Sequence, residues 1–534
     1  MKVLIFHGYL LRGTGSNVYN SSVATALAKL GHAVHLLCQD RRAGELPWVD
    51  RVGRWDRGEL QIEAAGGGSD DDTDTGTVTS YTPDIGGLLP VYVADEYQGF
   101  RVKTFDELSE DELDAYLEAN VTAVRDVVAE AGGVDAALAN HLVMGPAILA
   151  RAGLEFAMKV HGSALEYTVK PHAERFLPYA REGVDAAAGV LVGSGHTAAS
   201  LWRALDDPAL PDKTRLGPPG VDTELFAPIE RSEAAGVLRR LAADLRGTST
   251  EDSSWDRDPV AAAAAVEELA AATGPRVVFV GKLIVSKGID LLLAAWPLVH
   301  QRHPGARLLV VGFGEYEETT RRLWSALEHG DRATLGEIAA RGRALEGGPE
   351  APLEMLTALL DDLPAGYADA AREAAGSLLF CGRLEHDEVG GVVPACDALV
   401  VPSTFPESFG MVAAEAAAAR VPPVAAHHSG LAEVSEALID ELPPEAADLV
   451  SFELDDGAVR SLAARVNGWL ELEPGIRERA LAALREVARR RWSWEGVART
   501  ILAASAGRLD ELQSPKVPPA TRSDPDPGGR STEQ

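Results

Sequence analysis

The sequence predicts an α/β protein with two doubly wound parallel-sheet domains, and three observations support this prediction. Short apolar runs of strand length alternate with stretches that have helical periodicity. The runs are continuous in Val and Leu, as expected of strands that are buried on both faces of a parallel sheet. The alternation occurs in two separate series, and 534 residues with 46% hydrophobic content suffice for two or more domains.

The first series begins at the N-terminus. The run KVLIF at 2–6 precedes the glycine-rich RGTGSN, a helical pattern that ends at Gly31, and the run AVHLLCQ at 33–39. A strand, loop, helix and strand in this order predict a parallel pair with a right-handed crossover. We assign 1–215 to this domain, with a polar hairpin or loop insertion at about 50–86.

The second series follows the stretch GPPGVDTELFAP. Its predicted strands lie at 276–281, 307–312, 377–382, 398–403 and 421–427. We assign 216–490 to this domain, with helical insertions at about 231–272 and 318–376. The remainder is predicted to be a C-terminal helix at 491–513 and a disordered tail, rich in Pro and charge, at 514–534.

Composition excludes several classes of protein. The 81 acidic residues outnumber the 50 basic ones, and a net charge of −31 disfavours binding to nucleic acid or anionic membrane. No apolar run reaches the ~18 residues of a transmembrane helix, and the N-terminal stretch lacks a signal-peptide pattern. A local patch could still allow peripheral membrane contact. The unpaired spacing of Cys38, Cys381 and Cys396 predicts reduced thiols in a cytoplasmic protein.

The first candidate site is GTGSN, which follows the first predicted strand. Gly13 and Gly15 would let backbone amides approach an anion at a helix N-terminus. The pattern is not GxGxxG, and a tight strand–helix turn explains it equally well.

The second candidate is the lysine pair in VFVGKLIVSKGID. Lys282 and Lys287 are two of only nine lysines in the chain, and both follow a predicted buried strand. Two mobile positive charges at a strand end suit a diphosphate. The alternative is an exposed basic turn on an acidic protein.

The third candidate is the pair of carboxylates in FPESFGMVAAEAAAAR. Eight residues advance a helix by about 800°, so Glu407 and Glu415 would not share a helix face. We expect Glu407 in the loop before a helix and Glu415 about one turn inside it, with the free amides of 408–411 between them. Carboxylates accept hydrogen bonds from hydroxyls and helix starts bind phosphate, so a sugar nucleotide fits. The alternative is compensation of the helix dipole by first-turn acids.

Other polar residues are less informative. His161 ends a predicted strand and precedes a glycine, which favours the ligand edge of the sheet over a core or capping role. The positions of Asn140 and His141 favour neither a functional nor a structural interpretation. The acidic run Asp70–Asp74 is typical of a solvated loop rather than a metal site. Trp492 and Trp494 are predicted to anchor the last helix.

Together these motifs resemble a known family. PSTFPESFGMVAAEA resembles the E-x7-E signature of retaining glycosyltransferases of family four, which have the GT-B fold of two Rossmann-like domains facing across a cleft. VGKLIVSKGID, LLVVGFGEYEE, FCGRLEHDEV, SGLAEV and PPGVDTELFAP are similar to that family in its usual order. The N-terminal GTGSNVYNSSVATALAKLGHAVHLL and VHGSALEY are similar to the branch of inositol-phosphate and sucrose-phosphate glycosyltransferases.

The resemblance implies a role for each matching position. In the second domain, Lys282 and Lys287 would bind the donor diphosphate, Glu407 the transferred sugar and Glu415 the ribose. The backbone near Arg383 and Leu384 would meet the base. The amides that would reach sugar and phosphate are those of Ser408, Phe409, Gly410 and Met411.

In the first, acceptor-binding domain, the resemblance places His161 beside the reacting sugar. Gly15 and Asn17 would lie near the donor phosphate or the acceptor, and the helix at 491–513 would cross back onto this domain. The implied reaction transfers a hexosyl unit from a nucleoside diphosphate sugar to a hydroxyl acceptor with retention, without cofactor or metal.

Two positions depart from the family pattern. The first basic position is often Arg and is Lys282 here, so the charge is kept but the bidentate fork is lost. The family's glycine before the PPV strand is Arg420 here, which would cost about 1 kcal/mol if that position requires positive φ.

Three alternative functions stay open at this point. They are a sugar-nucleotide epimerase of the same fold, a non-catalytic sugar-nucleotide-binding protein, and a phosphorylase-like enzyme. The sequence names neither the base and sugar of the donor nor the acceptor.

Overall fold

The computed structural model describes residues 1–13, 15–65, 76–92, 99–248 and 257–517. The chain divides into two compact units, and the divisions fall after Gly220 and after Ser493. Met1–Gly220 and Trp494–Gln534 form the first unit, and Val221–Ser493 forms the second. The acidic run Asp70–Asp74 and residues 518–534 of the predicted tail lie outside the described residues.

The first unit contains two sheets. Its strands are β1 Lys2–Phe6, β2 Ala33–Leu37, β3 Arg51–Asp56, β4 Glu59–Ala64, β5 Val78–Thr82, β6 Leu88–Val91, β7 Arg101–Thr104, β8 Ala136–Asn140, β9 Ala157–Val160, β10 Gly189–Val192 and β11 Thr214–Leu216. Its helices up to Gly220 are α1 Gly15–Lys29, α2 Glu110–Glu130, α3 Gly145–Ala152, α4 Ala173–Ala186, α5 Gly195–Leu205 and α6 Leu210–Lys213.

The main sheet of this unit has nine strands in the order β11-β10-β9-β8-β1-β2-β5-β3-β4. Its pairings are parallel except for the β3–β4 hairpin, and β6 and β7 form a separate parallel pair. The central strand β1 lies between β2 and β8, and its residues 3–6 are buried on both sides. The order reverses at β1, and open α/β sheets bind ligands beyond the carboxyl ends of the strands at such a point.

One expectation for this unit was wrong in part. We expected an insertion at 50–86, and β3 and β4 do form a hairpin there, but β5 pairs in parallel with β2 and belongs to the main sheet. Its sequence, VTSYT, contains four hydroxyl residues and lacks the apolar run that marks the other strands. The sheet neighbours bury Thr79 and Ser80 nonetheless.

The second unit is built on one parallel sheet. Its strands are β12 Arg276–Val280, β13 Arg307–Val311, β14 Leu378–Gly382, β15 Ala398–Val401, β16 Pro423–Ala426 and β17 Ser451–Phe452, in the order β14-β13-β12-β15-β16-β17. Its helices are α7 Arg231–Gly247, α8 Pro259–Ala270, α9 Ile289–Arg302, α10 Glu317–His329, α11 Arg332–Arg341, α12 Glu354–Asp361, α13 Tyr367–Glu373, α14 His386–Val392, α15 Met411–Ala418, α16 Ser429–Ile439, α17 Pro444–Ala447, α18 Ala458–Glu471 and α19 Pro474–Arg491.

The doubly wound α/β prediction is therefore confirmed in both units. The strands predicted from apolar runs occur at the expected places, with ends that differ by up to two residues. Helices α7 and α8 occupy most of the segment 231–272, and α10 to α13 occupy 318–376. The three cysteines are buried and unpaired, and no helix among the described residues is long and apolar enough to span a membrane.

A last helix, α20 at Trp494–Ser505, returns to the first unit. The Ser505 hydroxyl donates a hydrogen bond to the Ala137 carbonyl at 3.0 Å, and the Trp494 ring lies edge-on to Tyr19 with centroids 5.6 Å apart. Trp492 is in the second unit, where it packs edge-on against Phe409. Both tryptophans flank the point at which the chain leaves the second unit.

Arg420 has φ 58°, in the left-handed region that favours glycine. It also forms an ion pair with Glu478 at 3.0 Å, and both side chains are more than a third exposed. Arg420→Gly and Arg420→Ala separate the backbone strain from the ion pair. Both substitutions remove the ion pair, but only glycine relieves the strain of the positive φ. We expect Arg420→Gly to be about 1 kcal/mol more stable than Arg420→Ala in urea unfolding. Equal stability of the two variants would contradict backbone strain at this position.

Candidate active site

Lys287 and Glu407 are in contact beyond the ends of two neighbouring strands of the second unit. Lys287 follows β12 and Glu407 follows β15, and these strands pair in parallel. The Lys287 ammonium donates a hydrogen bond to Oε1 of Glu407, and the side chains are 30% and 25% exposed. Two residues singled out separately in the sequence therefore form one ion pair at the carboxyl edge of the sheet.

Hydrogen bonds hold Glu407 from several sides. The Ser403 hydroxyl donates to its Oε1 at 2.8 Å, and its own amide donates to the Ser429 hydroxyl at 2.9 Å. Burial alone would raise the pKa of Glu407, but Lys287 and Ser403 more than offset this and leave it below the ordinary value. Glu407 is therefore an oriented carboxylate at neutral pH.

The backbone around this pair is tightly packed because glycines allow close approach. A Cβ at Gly288, where φ is 65°, would lie 2.0 Å from the Pro402 carbonyl oxygen. A Cβ at Gly430 would lie 2.6 Å from the backbone of Phe409. The amide of Thr404 donates to the Ser286 carbonyl at 2.9 Å, which fixes the lysine loop against the loop that carries Glu407.

A network of serine and histidine residues, which the sequence did not reveal, lies behind Glu407. His428 Nε2 donates to the Ser403 carbonyl at 2.7 Å, so its Nδ1 can accept from the Ser429 hydroxyl at 3.1 Å. Ser429 has φ 50°, although it is not a glycine. The sequence feature that could have indicated this network is the position of its residues, because Ser403 follows strand β15 and His428 and Ser429 follow strand β16.

Helix α15 begins directly after the glutamate loop. Gly410 precedes it with φ 146°, Ser408 and Phe409 lie in the approach to it, and Met411 is its first residue. Glu415 lies within the helix and is 5% exposed.

Glu415 has a partner that the sequence did not reveal. His386, the first residue of α14, donates from Nε2 to Glu415 Oε1 at 3.0 Å. Burial alone would lower the pKa of His386, but Glu415, together with Asp222 and Asp387, outweighs burial and the pKa is raised. The carboxylate is therefore held in place before any ligand arrives.

The remaining predicted residues of the second unit also follow strands. Arg383 and Leu384 come directly after β14 and are buried. The Arg383 guanidinium lies 3.0 Å from Glu385 and 5.4 Å from the centre of the Phe313 ring. Lys282 lies two residues beyond β12 and is half-buried.

The first unit holds His161, Gly15 and Asn17. His161 directly follows β9, and its Nε2 lies 2.8 Å from Oδ1 of Asn140. Gly15 is the exposed first residue of α1, and a Cβ there would meet open space. Asn17 is buried, with its Oδ1 3.0 Å from His7 Nε2. The pKa of His161 lies well below its usual value, mainly because the ring is buried and further because of His141 and Lys159. The ring is therefore neutral.

Comparison with known families finds two matches within the second unit. Two family models described as glycosyl transferases group 1 match residues 274–342 and 367–481. The matched segments contain both lysines and both glutamates of the candidate site. Over these two segments, the second unit is similar to the glycosyl transferases group 1 family.

Curated relatives agree with this assignment over part of the chain. Glycogen synthase from Mycobacterium tuberculosis is 29% identical over 259 residues, which are 48% of this chain and 48% of that protein. D-inositol 3-phosphate glycosyltransferase from Segniliparus rotundus is 28% identical over 300 residues, which are 56% of this chain and 48% of the relative. The chain thus spans about half the length of the curated relatives it matches.

Solved structures resemble the chain over nearly its whole length. HepE from Anabaena in complex with UDP and glucose has a TM-score of 0.54 at 17% identity, covering 96% of this chain and 100% of that one. Sucrose-phosphate synthase from Thermosynechococcus elongatus has a TM-score of 0.50 at 17% identity, covering 96% and 98%. These similarities confirm the GT-B fold expected from the sequence.

Two lysine side chains of the second unit lie at the predicted phosphate position, after strand β12. Within the described ranges, no group of three or more His, Cys, Asp or Glu side chains is arranged to hold a metal ion. Positive groups at this edge of the sheet include the ammonium of Lys287, paired with Glu407, and the ammonium of Lys282.

Removing Lys287 should destabilise the ligand-free protein. Lys287→Met leaves Glu407 buried without its cation, and we expect a loss of about 2 kcal/mol at neutral pH. Lys287→Met combined with Glu407→Gln should recover most of that loss, because no buried charge remains. Since the pKa of Glu407 is lowered, the loss should shrink as pH falls through the folded-state pKa.

Thermal and urea unfolding of the single and double variants test this coupling. Lys103→Met is a matched control, because Lys103 pairs with Glu112 at 2.8 Å in the first unit with similar exposure. Strictly additive effects of Lys287→Met and Glu407→Gln would show that the pair contributes nothing.

The contact between His386 and Glu415 should make stability depend on pH. Because the folded-state pKa of His386 is raised, its contribution is complete below the ordinary histidine range and is lost as pH rises through the folded-state value. The melting temperature of the wild type should therefore exceed that of His386→Gln most at about pH 6 and progressively less toward about pH 9. A difference that stays constant across this range would contradict the pairing.

Proposed function

We propose that the protein is a retaining glycosyltransferase that moves a hexosyl unit from a nucleoside diphosphate sugar to a hydroxyl acceptor. The observation that supports this most is the Lys287–Glu407 pair beside the start of α15 in a unit similar to the glycosyl transferases group 1 family. The pair combines a cation for phosphate with a carboxylate for sugar hydroxyls.

Donor binding would redistribute the contacts of the pair. The diphosphate would take hydrogen bonds from Lys287 and Lys282 and from the amides that precede and begin α15. Glu407, still held by Ser403 and by its own backbone, would accept hydrogen bonds from the transferred sugar. The ion pair thus keeps both side chains ordered and charged until the donor replaces each partner.

Glu415 and the end of β14 would bind the nucleoside. The carboxylate of Glu415, oriented by His386, would accept hydrogen bonds from ribose hydroxyls. The backbone at Arg383 and Leu384 would contact the base. Similarity to a relative named D-inositol 3-phosphate glycosyltransferase supports the proposed sugar transfer.

In the proposed reaction, the bond between the anomeric carbon and the leaving phosphate oxygen breaks. A bond to the acceptor oxygen forms on the same face of the sugar, and the acceptor's proton passes to the departing phosphate. Lys287, Lys282 and the helix start would stabilise the negative charge that develops on the diphosphate. We therefore propose metal-independent transfer with no covalent sugar on the enzyme.

The first unit would supply His161, with Gly15 and Asn17 near the phosphate or the acceptor. His161 is neutral and directly follows a strand of the main sheet, as expected of a residue that contacts a sugar hydroxyl. We also place the protein in the cytoplasm, because its three cysteines are buried and unpaired.

A thermal-shift panel of sugar nucleotides tests the proposal. A ligand at about 100 times its Kd stabilises a protein by about 2.7 kcal/mol, so the donor should raise the melting temperature clearly. Incubation of that donor with a lysate-derived pool of acceptors should then release nucleoside diphosphate and give a hexosylated product with the anomeric configuration of the donor. Epimerised donor without acceptor, or binding without any release of diphosphate, would overturn the proposal.

Variants of the pair should separate turnover from donor binding. Glu407→Gln should mainly lower kcat, because a neutral amide interacts more weakly with the developing positive charge on the sugar. Lys287→Ala should mainly weaken donor affinity. Each effect should be about tenfold or more, the equivalent of one charge-assisted hydrogen bond. Lys103→Ala is the matched control, and effects as small as those of the control would refute the site.

A further inference from the structure

Three histidines end three neighbouring strands of the first unit. His7 follows β1, His141 follows β8 and His161 follows β9, and these strands pair side by side. The ring centroids of His141 and His161 are 4.9 Å apart, and those of His7 and His141 are 6.1 Å apart. His7 and His141 are 2% exposed. This polar cluster therefore sits at the carboxyl edge of the sheet.

Asn140 determines which nitrogen of His161 carries hydrogen. The Nδ2 amide group of Asn140 lies 3.1 Å from the Phe6 carbonyl oxygen, which can only accept. The orientation of the amide is thereby fixed, and its Oδ1 faces His161 Nε2 at 2.8 Å. An amide oxygen also only accepts, so Nε2 of His161 must be the donor.

A second asparagine fixes the orientation of Asn140 independently. The Asn20 amide nitrogen donates to the Ser16 carbonyl at 2.9 Å, so its Oδ1 is the atom 2.7 Å from Asn140 Nδ2. The same Asn20 nitrogen lies 3.0 Å from His7 Nδ1, which must accept. The hydrogen bonds of Asn20 therefore also determine that Nδ1 of His7 accepts a hydrogen bond and carries no hydrogen.

A chain of hydrogen bonds runs from His161 through Asn140, Asn20 and His7 to Asn17 and ends at backbone carbonyl groups. Since His7 accepts at Nδ1, its Nε2 donates to the Leu10 carbonyl and to Asn17 Oδ1, each at 3.0 Å. Asn17 in turn donates from Nδ2 to the Arg12 carbonyl at 2.6 Å. Every amide in the chain is anchored by an acceptor-only carbonyl, so a single assignment of hydrogens satisfies all the contacts.

We propose that Asn140 is a positioning residue that holds His161 as its Nε2–H tautomer, which makes Nδ1 the ring atom that accepts a hydrogen bond from a substrate hydroxyl. This inference rests on the proposed function for the involvement of a substrate, but the tautomer follows from the contacts alone. His161 then binds a neutral hydroxyl and does not serve as the proton donor to the leaving phosphate.

The surroundings also keep His161 uncharged. Burial lowers the pKa of His161 most, and His141, Lys159 and His7 lower it further because each would repel an imidazolium. Tyr19 packs edge-on against the ring at 4.9 Å. No proton therefore needs to leave His161 before it can accept a hydrogen bond at neutral pH.

Nitrogen-15 NMR of the histidine-labelled full-length protein tests the tautomer directly, with His161→Gln used to assign the signals. We expect a protonated Nε2 and an unprotonated Nδ1, with no titration between about pH 6 and pH 8. The opposite tautomer, or a titration within this range, would overturn the proposal. The wild-type spectrum decides the question even if a variant at Asn140 fails to fold.

Asn140→Asp tests the positioning role. The introduced carboxylate would stabilise an imidazolium, so His161 should begin to titrate near neutral pH and the kcat profile should gain that ionisation. We expect kcat to fall about tenfold, with a smaller change in the KM of the donor, as for the loss of one buried hydrogen bond. A His161 ring that still does not titrate, together with an unchanged pH profile, would refute the role of Asn140.

Asn120→Asp is the matched control. Asn120 is also buried in the first unit, and its amide donates to the Tyr116 carbonyl at 2.8 Å within α2, outside the chain. This control should share any loss of stability but leave the His161 signals and the pH profile unchanged. If Asn140→Asp shifts the His161 signals yet leaves kcat intact, the positioning by Asn140 stands and the proposed role of His161 in transfer fails.

Discussion

Parallel strand pairing places the carboxyl ends of all strands at one edge of a sheet, and the candidate site depends on this constraint. The strands are buried on both faces, so a polar side chain that must meet a ligand belongs in the loop directly after a strand. His7, His141 and His161 of the first unit follow β1, β8 and β9, and Lys287 and Glu407 follow β12 and β15. The same geometry serves both units with different residues.

The two units stabilise their buried polar side chains in different ways. The second unit uses opposite charges, since Lys287 offsets the desolvation of Glu407 and Glu415 is held by His386. The first unit uses neutral amides and imidazoles that hydrogen bond in one fixed direction. A charged pair suits a diphosphate with its sugar, while neutral directional groups suit a hydroxyl. The chemistry of each unit thus matches the part of the proposed reaction that it would serve.

Backbone strain accompanies both arrangements. Ser429 beside Glu407 and His141 beside His161 have φ values of 50° and 67°, although neither is a glycine. Such a conformation costs on the order of 1 kcal/mol and persists where the surrounding contacts determine it. For Ser429 the compensation is visible, because its hydroxyl bonds the Glu407 amide and His428.

The sequence by itself determined the fold class, most strand positions and the residues Lys287, Glu407 and His161, because burial and strand ends leave local patterns. It did not reveal β5, whose polar residues are buried only by the neighbouring strands. The tertiary structure alone decided that Lys287 meets Glu407 across 120 positions and that Asn140 meets Asn20 across another 120. Such contacts depend on which strands become neighbours and on loop packing, and a local pattern carries no information about either.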